Sequence, residues 1–335
     1  MKKIIGLTLL LALTLSLCAM LFSCKKEDYT LNVAYLNGPT GMGMAKLIED
    51  SKAKGEEADY TFIPTTAELV GAGLISGEFD IACMPTNTAA SLYNKGAEIE
   101  ILAINCLNSI YVITDETVTL TSISDLENKT IYTCKGGTPA PILNALLTAY
   151  GVNATVSTEF NGSVIAKPEN LVPVITDKNN SPAIVVAPEP IITSALLAIN
   201  KDSSNTSEYS IDIDLGKAWK DHYGTDITMG CIAARKQVIT ENKAAVDRFL
   251  NEYKASIEFI GNSENIDASA DLIFKSGIMA AAPAAKKALS NLNKGGYIAY
   301  LDGTEMKNAL IKLYEVFGNA LIGGKMPDDG LYYVD

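Results

Sequence analysis

The stretch YLNGPTGMGMAKL, Tyr35 to Leu47, carries glycines at 38, 41 and 43 where an apolar run gives way to a helical pattern. The spacing Gly38-x4-Gly43 is close to that of a phosphate-binding loop, in which bared amides cradle phosphates and a following lysine grips the outermost ones. Met44 stands where that lysine belongs, so the loop lacks its most specific group. What is left is a turn whose glycines either let amides approach a ligand closely or serve only the tight bend, with Asn37 beside them and Thr40 placed to cap the next helix.

Three more turns carry similar groups. Pro64-Thr65-Thr66 and Pro85-Thr86-Asn87-Thr88 put hydroxyls and an amide after strand-like runs, where they either cap helices or donate to a ligand. Lys135-Gly136-Gly137-Thr138-Pro139 would bare two amides at a helix start, an anion-friendly nest, with Thr138 as cap and Pro139 at the first helical position. In Ala187-Pro188-Glu189-Pro190 a lone carboxylate begins a helix, either as a helix-dipole charge or as an acceptor for a ligand donor. The candidate contacts are Asn37, Gly38, Pro39, Thr40, Met42, Thr65, Thr66, Thr86, Asn87, Gly136, Gly137, Thr138 and Glu189, with Tyr35, Tyr111 and Phe160 as stacking faces. Gly137→Asp is expected to abolish binding with little change in melting temperature.

These turns need a frame that brings them together. From Tyr29 onward short apolar runs alternate with helical patterns, the signal for parallel strands joined by crossover helices. In such sheets ligands sit beyond the carboxyl ends of the strands. The extended stretch 99–114 is too long for one compact sheet, so it reads as a strand leaving one lobe and entering another. A second extended segment, 227–234, reads as the return, with 104–113 as its partner. The expected organisation is lobe 1 over 29–108 and 231–335 and lobe 2 over 109–230, each an α/β unit, with the helices after Thr240 packed on lobe 1. The segment 201–208 reads as a polar loop, and no residue repeat at a solenoid period is evident.

Composition narrows the function. A net charge of −12 repels phosphate backbones, so nucleic acid is not an expected partner. Cys83, Cys106, Cys134 and Cys231 are too far apart for a CxxC motif and lie in apolar runs, as small core residues do, a disulfide among them being the competing reading. His222 is the sole histidine, in a polar stretch, and no catalytic or metal-ligand motif is present; neither a metal nor a cofactor is expected. Arg235 and Arg248 fall at no cleft turn, which argues against a bidentate carboxylate clamp. Lys2 and Lys3 precede an apolar run, Ile4 to Phe22, that reads as a secretory signal over 1–23, a retained anchor helix being the competing reading. Leu21-Phe22-Ser23-Cys24 resembles a bacterial lipobox, which would make Cys24 a lipidated residue at the outer face of the membrane and 24–28 a tether.

The lipobox, the Asn-Gly-Pro-Thr-Gly turn, Pro85-Thr86-Asn87, the Gly-Gly-Thr helix start, Pro188-Glu189-Pro190 with Thr193, and the tail 322–329 together resemble a substrate-binding lipoprotein of an ABC importer. The nearest class is that of nitrate, sulfonate and taurine binders, which includes binders of pyrimidine precursors. The resemblance spans essentially the whole chain. It implies a type II periplasmic-binding-protein fold, two doubly wound lobes joined by two crossing strands, and a monomer that closes on a small molecule. It further implies an ABC permease and its ATPase as partners, the ATPase being where phosphate-loop chemistry would reside. The ligand groups suit a pyrimidine-like heterocycle first and a sulfonate or other oxyanion second. An enzyme of the same fold, or an exported sensor or adhesin, stays open.

Overall fold

Leu31–Leu36 is apolar on both faces, the pattern of a strand covered on both sides, and it forms the inner strand β1. In this computed structural model residues 29–202 and 208–334 are described. The expected leader, the Cys24 lipid site and the tether lie outside them. After β1 come β2 (Tyr60–Thr65), β3 (Ile81–Pro85) and β4 (Ile99–Leu107). The chain then passes into β5 (Ile110–Asp115), β6 (Thr130–Tyr132), β7 (Thr155–Ser157), a small hairpin of β8 (Glu159–Phe160) and β9 (Ser163–Val164), β10 (Ile184–Pro188) and β11 (Tyr209–Asp214). It returns in β12 (Thr228–Arg235) and adds β13 (Leu301–Asp302).

The strands form two large sheets, ordered β13-β4-β12-β3-β1-β2 and β11-β5-β10-β6-β7. In the first, β1 runs parallel to β2 and β3, and β12 lies antiparallel between β3 and β4. In the second, β6 runs parallel to β7 and β10, and β5 lies antiparallel between β10 and β11. Each sheet is thus a parallel triplet followed by the strand that has just crossed from the other lobe. The repeat resides in pairing order and not in residues, which is why no sequence period reveals it.

The long extended stretch breaks between the sheets at Asn108 and Ser109, whose φ angles of 53° and 58° place both in the left-handed region. That conformation costs a non-glycine residue roughly 1–2 kcal/mol. Asn108 offsets it by bonding the second crossing: its N–H donates to the Ile227 carbonyl at 2.8 Å, and its side-chain oxygen accepts from the Ile227 N–H at 2.9 Å. Its Nδ2 donates to Asp226 at 3.0 Å, so the two connections lie side by side. The returning segment meets the expected partner, 104–113, only over 104–107. β12 registers against 99–107, from Thr228 opposite Leu107 to Arg235 opposite Ile99, because 110–115 is already paired in the second sheet.

One element that the sequence left unassigned and one expectation about the final helices remain. The stretch around Trp219 is a helix, Leu215–Tyr223, started by Asp214, whose Oδ1 accepts from the N–H groups of Gly216 and Lys217 at 2.9 and 3.1 Å. Its polar residues face out, His222 among them, while Leu215 and Trp219 are fully buried; such burial stabilises by roughly 1.5–3 kcal/mol for a large apolar side chain. The final helices also do not pack on the first lobe alone. Leu313 and Phe317 of Gly303–Phe317 join Ile142, Leu146 and Trp219 of the second lobe, and Ala282–Lys294 packs on Ile191–Lys201. Among the described residues no helix is long and apolar enough to cross a membrane.

Candidate functional site

The turns after β1, β2 and β3 face those after β6 and β10 across a gap between the lobes. An inner cavity of about 400 Å³ is lined by Asn37, Gly38, Pro39, Thr40, Asn87, Gly137, Thr138 and Glu189. An outer one of about 690 Å³ adds Thr65, Thr66 and Gly136, and the two share Asn37, Pro85, Gly137 and Glu169, so they form one cleft. The lobes approach closely at its inner end. Gly38 has φ 83°, and a Cβ there would stand 3.3 Å from Pro190 Cδ, so both the turn and the facing proline require glycine.

Two candidate contacts lie elsewhere. Met42 is fully buried, and so is Thr86, whose hydroxyl donates to the Thr228 carbonyl at 2.6 Å while its own carbonyl accepts from Tyr314 at 2.8 Å. Both sit in the first turn of a helix on the side that faces the sheet, which turns them inward. The stacking faces are displaced as well. Tyr35 is buried with its hydroxyl on the Ser276 carbonyl, Phe160 meets Tyr132 edge-on, and Tyr111 lies on the hinge side. Arg235 and Arg248 pair with Asp80 and Asp59 at 2.7 and 3.0 Å.

The capping roles change too. Neither Thr40 nor Thr138 makes a side-chain cap; the Thr138 hydroxyl instead donates to Met229 Sδ at 3.9 Å, on the returning strand β12. The Gly136 N–H donates to the Ala166 carbonyl at 3.0 Å, so half of the expected amide nest is already occupied. Glu189, only 2% exposed, accepts from the Thr193 hydroxyl at 3.0 Å, from the Thr193 N–H at 3.2 Å and from Asn291 Nδ2. Burial raises its pKa, and the Asn291 and Thr193 hydrogen bonds oppose that shift. Since Asn291 belongs to the first-lobe side, this carboxylate ties lobe to lobe.

Sequence reasoning missed Ser109, Pro168, Glu169, Ile191 and Met229, which also line the inner cavity. Ile191 follows the turn Pro188-Glu189-Pro190 and could have been found there. Ser109 and Met229 come from the crossings, where nothing in the local sequence marks a cleft residue. At the mouth, Glu68 of the first lobe and Lys167 of the second form an exposed ion pair, and the Lys167 hydrogen bond holds the Glu68 carboxyl down to about 2. The four described cysteines are unpaired and buried, and burial pushes the Cys83 and Cys106 thiols up to about 12. No group of acidic, histidine or cysteine side chains is gathered as metal ligands among the described residues.

A second cavity, about 500 Å³, lies on the hinge side and is lined by Asn108, Tyr111, Asp214, Lys220, Asp226 and Tyr297, among others. Its polar groups face each other. Tyr297 donates to Asp214 Oδ2, Lys220 pairs with Asp226 at 2.9 Å, and Asn108 bonds the other oxygen of Asp226.

No protein-family model matches the sequence, and no curated protein matches it. Solved structures do. An ABC transporter protein from Parabacteroides distasonis superposes with a TM-score of 0.71 at 20% identity, covering 91% of this chain and 99% of that one. The periplasmic aliphatic sulphonate binding protein SsuA from Escherichia coli gives 0.63 at 14%, covering 86% and 91%. A putative periplasmic sulfonate-binding protein from Methylobacillus flagellatus gives 0.62 at 14%, covering 92% of each chain. At such identities the likeness carries the architecture, and the chain has the bilobed α/β fold of the periplasmic binding proteins.

Proposed function

We propose that this protein is the extracytoplasmic solute-binding component of an ABC importer. It captures a small molecule between its lobes and delivers it to a permease served by an ATPase, working as a monomer tethered through lipid on Cys24. The carrying observation is that the turns after β1, β2 and β3 and those after β6 and β10 line one cleft whose walls belong to different lobes. A ligand there touches both lobes only when they close, and closure is favoured by the added contacts alone. The two connections bonded through Asn108 and Ile227 supply a narrow hinge. We read the cleft as a site for binding and not for turnover; its inner carboxylates are Glu169 and Glu189, and the latter is engaged by Thr193 and Asn291.

The test needs no knowledge of the ligand. Leu69, 62% exposed next to the cleft mouth, is replaced by a photo-crosslinking residue in the full chain expressed in its own host. Recovery of permease subunits on illumination, lost together with palmitate labelling in Cys24→Ala, is the expected result. A chain that labels no permease subunit, or that stays membrane-bound without Cys24, overturns the reading.

A further inference from the structure

Resting on the solute-binding reading, the ligand class follows from what the cleft's donors already do. Oxyanion sites are built from bare amides at helix starts and from basic side chains. We infer that this cleft takes an uncharged, largely apolar organic molecule and rejects oxyanions, sulfonates included.

Three helices of adequate length begin at the inner cavity, and each begins with proline. Pro85 is the cap of Thr86–Asn94, Pro139 is the first residue of Pro139–Tyr150, and Pro190 is the cap of Ile191–Lys201. Proline has no N–H, so each helix start lacks a donor where an anion would need it, and Pro139–Tyr150 lacks a second at Pro141. The remaining donors are partly engaged. The Thr193 N–H is bonded to Glu189, which places a carboxylate on the helix start an anion would occupy, and the Gly136 N–H is bonded to Ala166. Among the described residues lining the inner cavity there is no lysine, arginine or histidine; the charged ones are Glu169 and Glu189. Lys167, at the outer rim, is paired with Glu68. An oxyanion would therefore lose its hydration and meet carboxylates, a desolvation with no compensating partner.

The rest of the lining states what fits. Pro39, Pro168, Pro188, Leu36, Ile191 and Met229 offer apolar contact, while Asn37, Asn87, Thr88 and Ser109 offer neutral hydrogen bonds. A cavity of about 400 Å³ is more than a single small ring requires and lies within the range of drug-sized ligands. The net charge of −12 adds a long-range field that disfavours anions before they arrive.

Matched pairs of one shape and different charge test this directly on the full chain: naphthalene-2-sulfonamide against naphthalene-2-sulfonate, and nicotinamide against nicotinate, titrated by calorimetry. The neutral member of at least one pair is expected to bind, with its anionic partner weaker by about tenfold or more. An anion that binds as tightly as its neutral partner, or no binding by any neutral member, overturns the inference. Neither outcome touches the permease cross-link, so the two readings fail separately. In a second arm, Pro139→Ala returns an N–H to its helix start and should improve sulfonate affinity by about two- to fivefold relative to the sulfonamide. No gain would show that missing amides are not what repels the anion.

Discussion

The hinge-side cavity and the inner cavity of the cleft are of similar volume and opposite character. On the hinge side, Asn108, Asp214, Asp226, Lys220 and Tyr297 are bonded to one another across the connection. In the cleft, prolines and apolar side chains separate Asn37, Asn87, Thr88 and Ser109, which line the space itself. Polar groups that bind each other hold a structure together, and polar groups directed at a gap are available to a guest. The difference gives cohesion to one side and, on the proposed solute-binding reading, recognition to the other. Glu189 sits at the boundary: it lines the cleft, yet its bonds to Thr193 and Asn291 are of the cohesive kind.

Substitutions should separate the two sides. The largest effect is expected on the hinge side, where Asn108→Ala removes bonds to buried Ile227 and to Asp226. The unfolding free energy in urea should fall by about 3 kcal/mol, and a fall below about 1 kcal/mol would deny that these bonds hold the lobes. Next is Gly137→Ala in the cleft. With φ 82° this position costs any other residue roughly 1–2 kcal/mol, so stability falls as well as binding. That revises the expectation from sequence that Gly137 can be changed with little loss of stability, and an unchanged melting temperature would restore it. Asn87→Ala should then weaken the best neutral ligand by about tenfold, the worth of one hydrogen bond, with the melting temperature unmoved. A parallel loss of stability would move Asn87 to the cohesive side.

The smallest effect concerns pH. Burial raises the folded-state pKa of Glu189 above its ordinary value of 4.5, so the folded protein holds this proton more tightly than the unfolded chain. Its contribution to stability is therefore most favourable below pH 4.5 and declines as pH rises through the folded pKa. Comparing urea midpoints from acid to neutral pH, Glu189→Gln should show a shallower decline than the parent. An identical slope would remove Glu189 as its source.

Much of the frame is legible in the residues. The strand at Leu31–Leu36 and the final helix at Gly303–Phe317 follow from their apolar patterns, and the break at Asn108-Ser109 is visible as a polar pair within an extended run. Leu215–Tyr223 is not, because Leu215 and Trp219 are its only large buried side chains amid lysines, an aspartate and a histidine. In the site, Met42 and Thr86 share turns with genuine cleft residues. Which side of a first helical turn faces the gap depends on where the sheet lies, and no local pattern states that.

The sequence by itself determined the kinds of corner this protein would have: glycine where the backbone must turn left-handed, proline at helix starts, threonine and asparagine beside them. These are local preferences, set by each residue's own backbone and its near neighbours. Only the tertiary structure decided which corners meet and which donors remain open, because the partners that engage them come from distant elements: Ala166 for Gly136, Asn291 for Glu189 and Met229 for Thr138. A donor is available to a ligand only after the fold has claimed the others, and that depends on long-range contacts no single stretch contains.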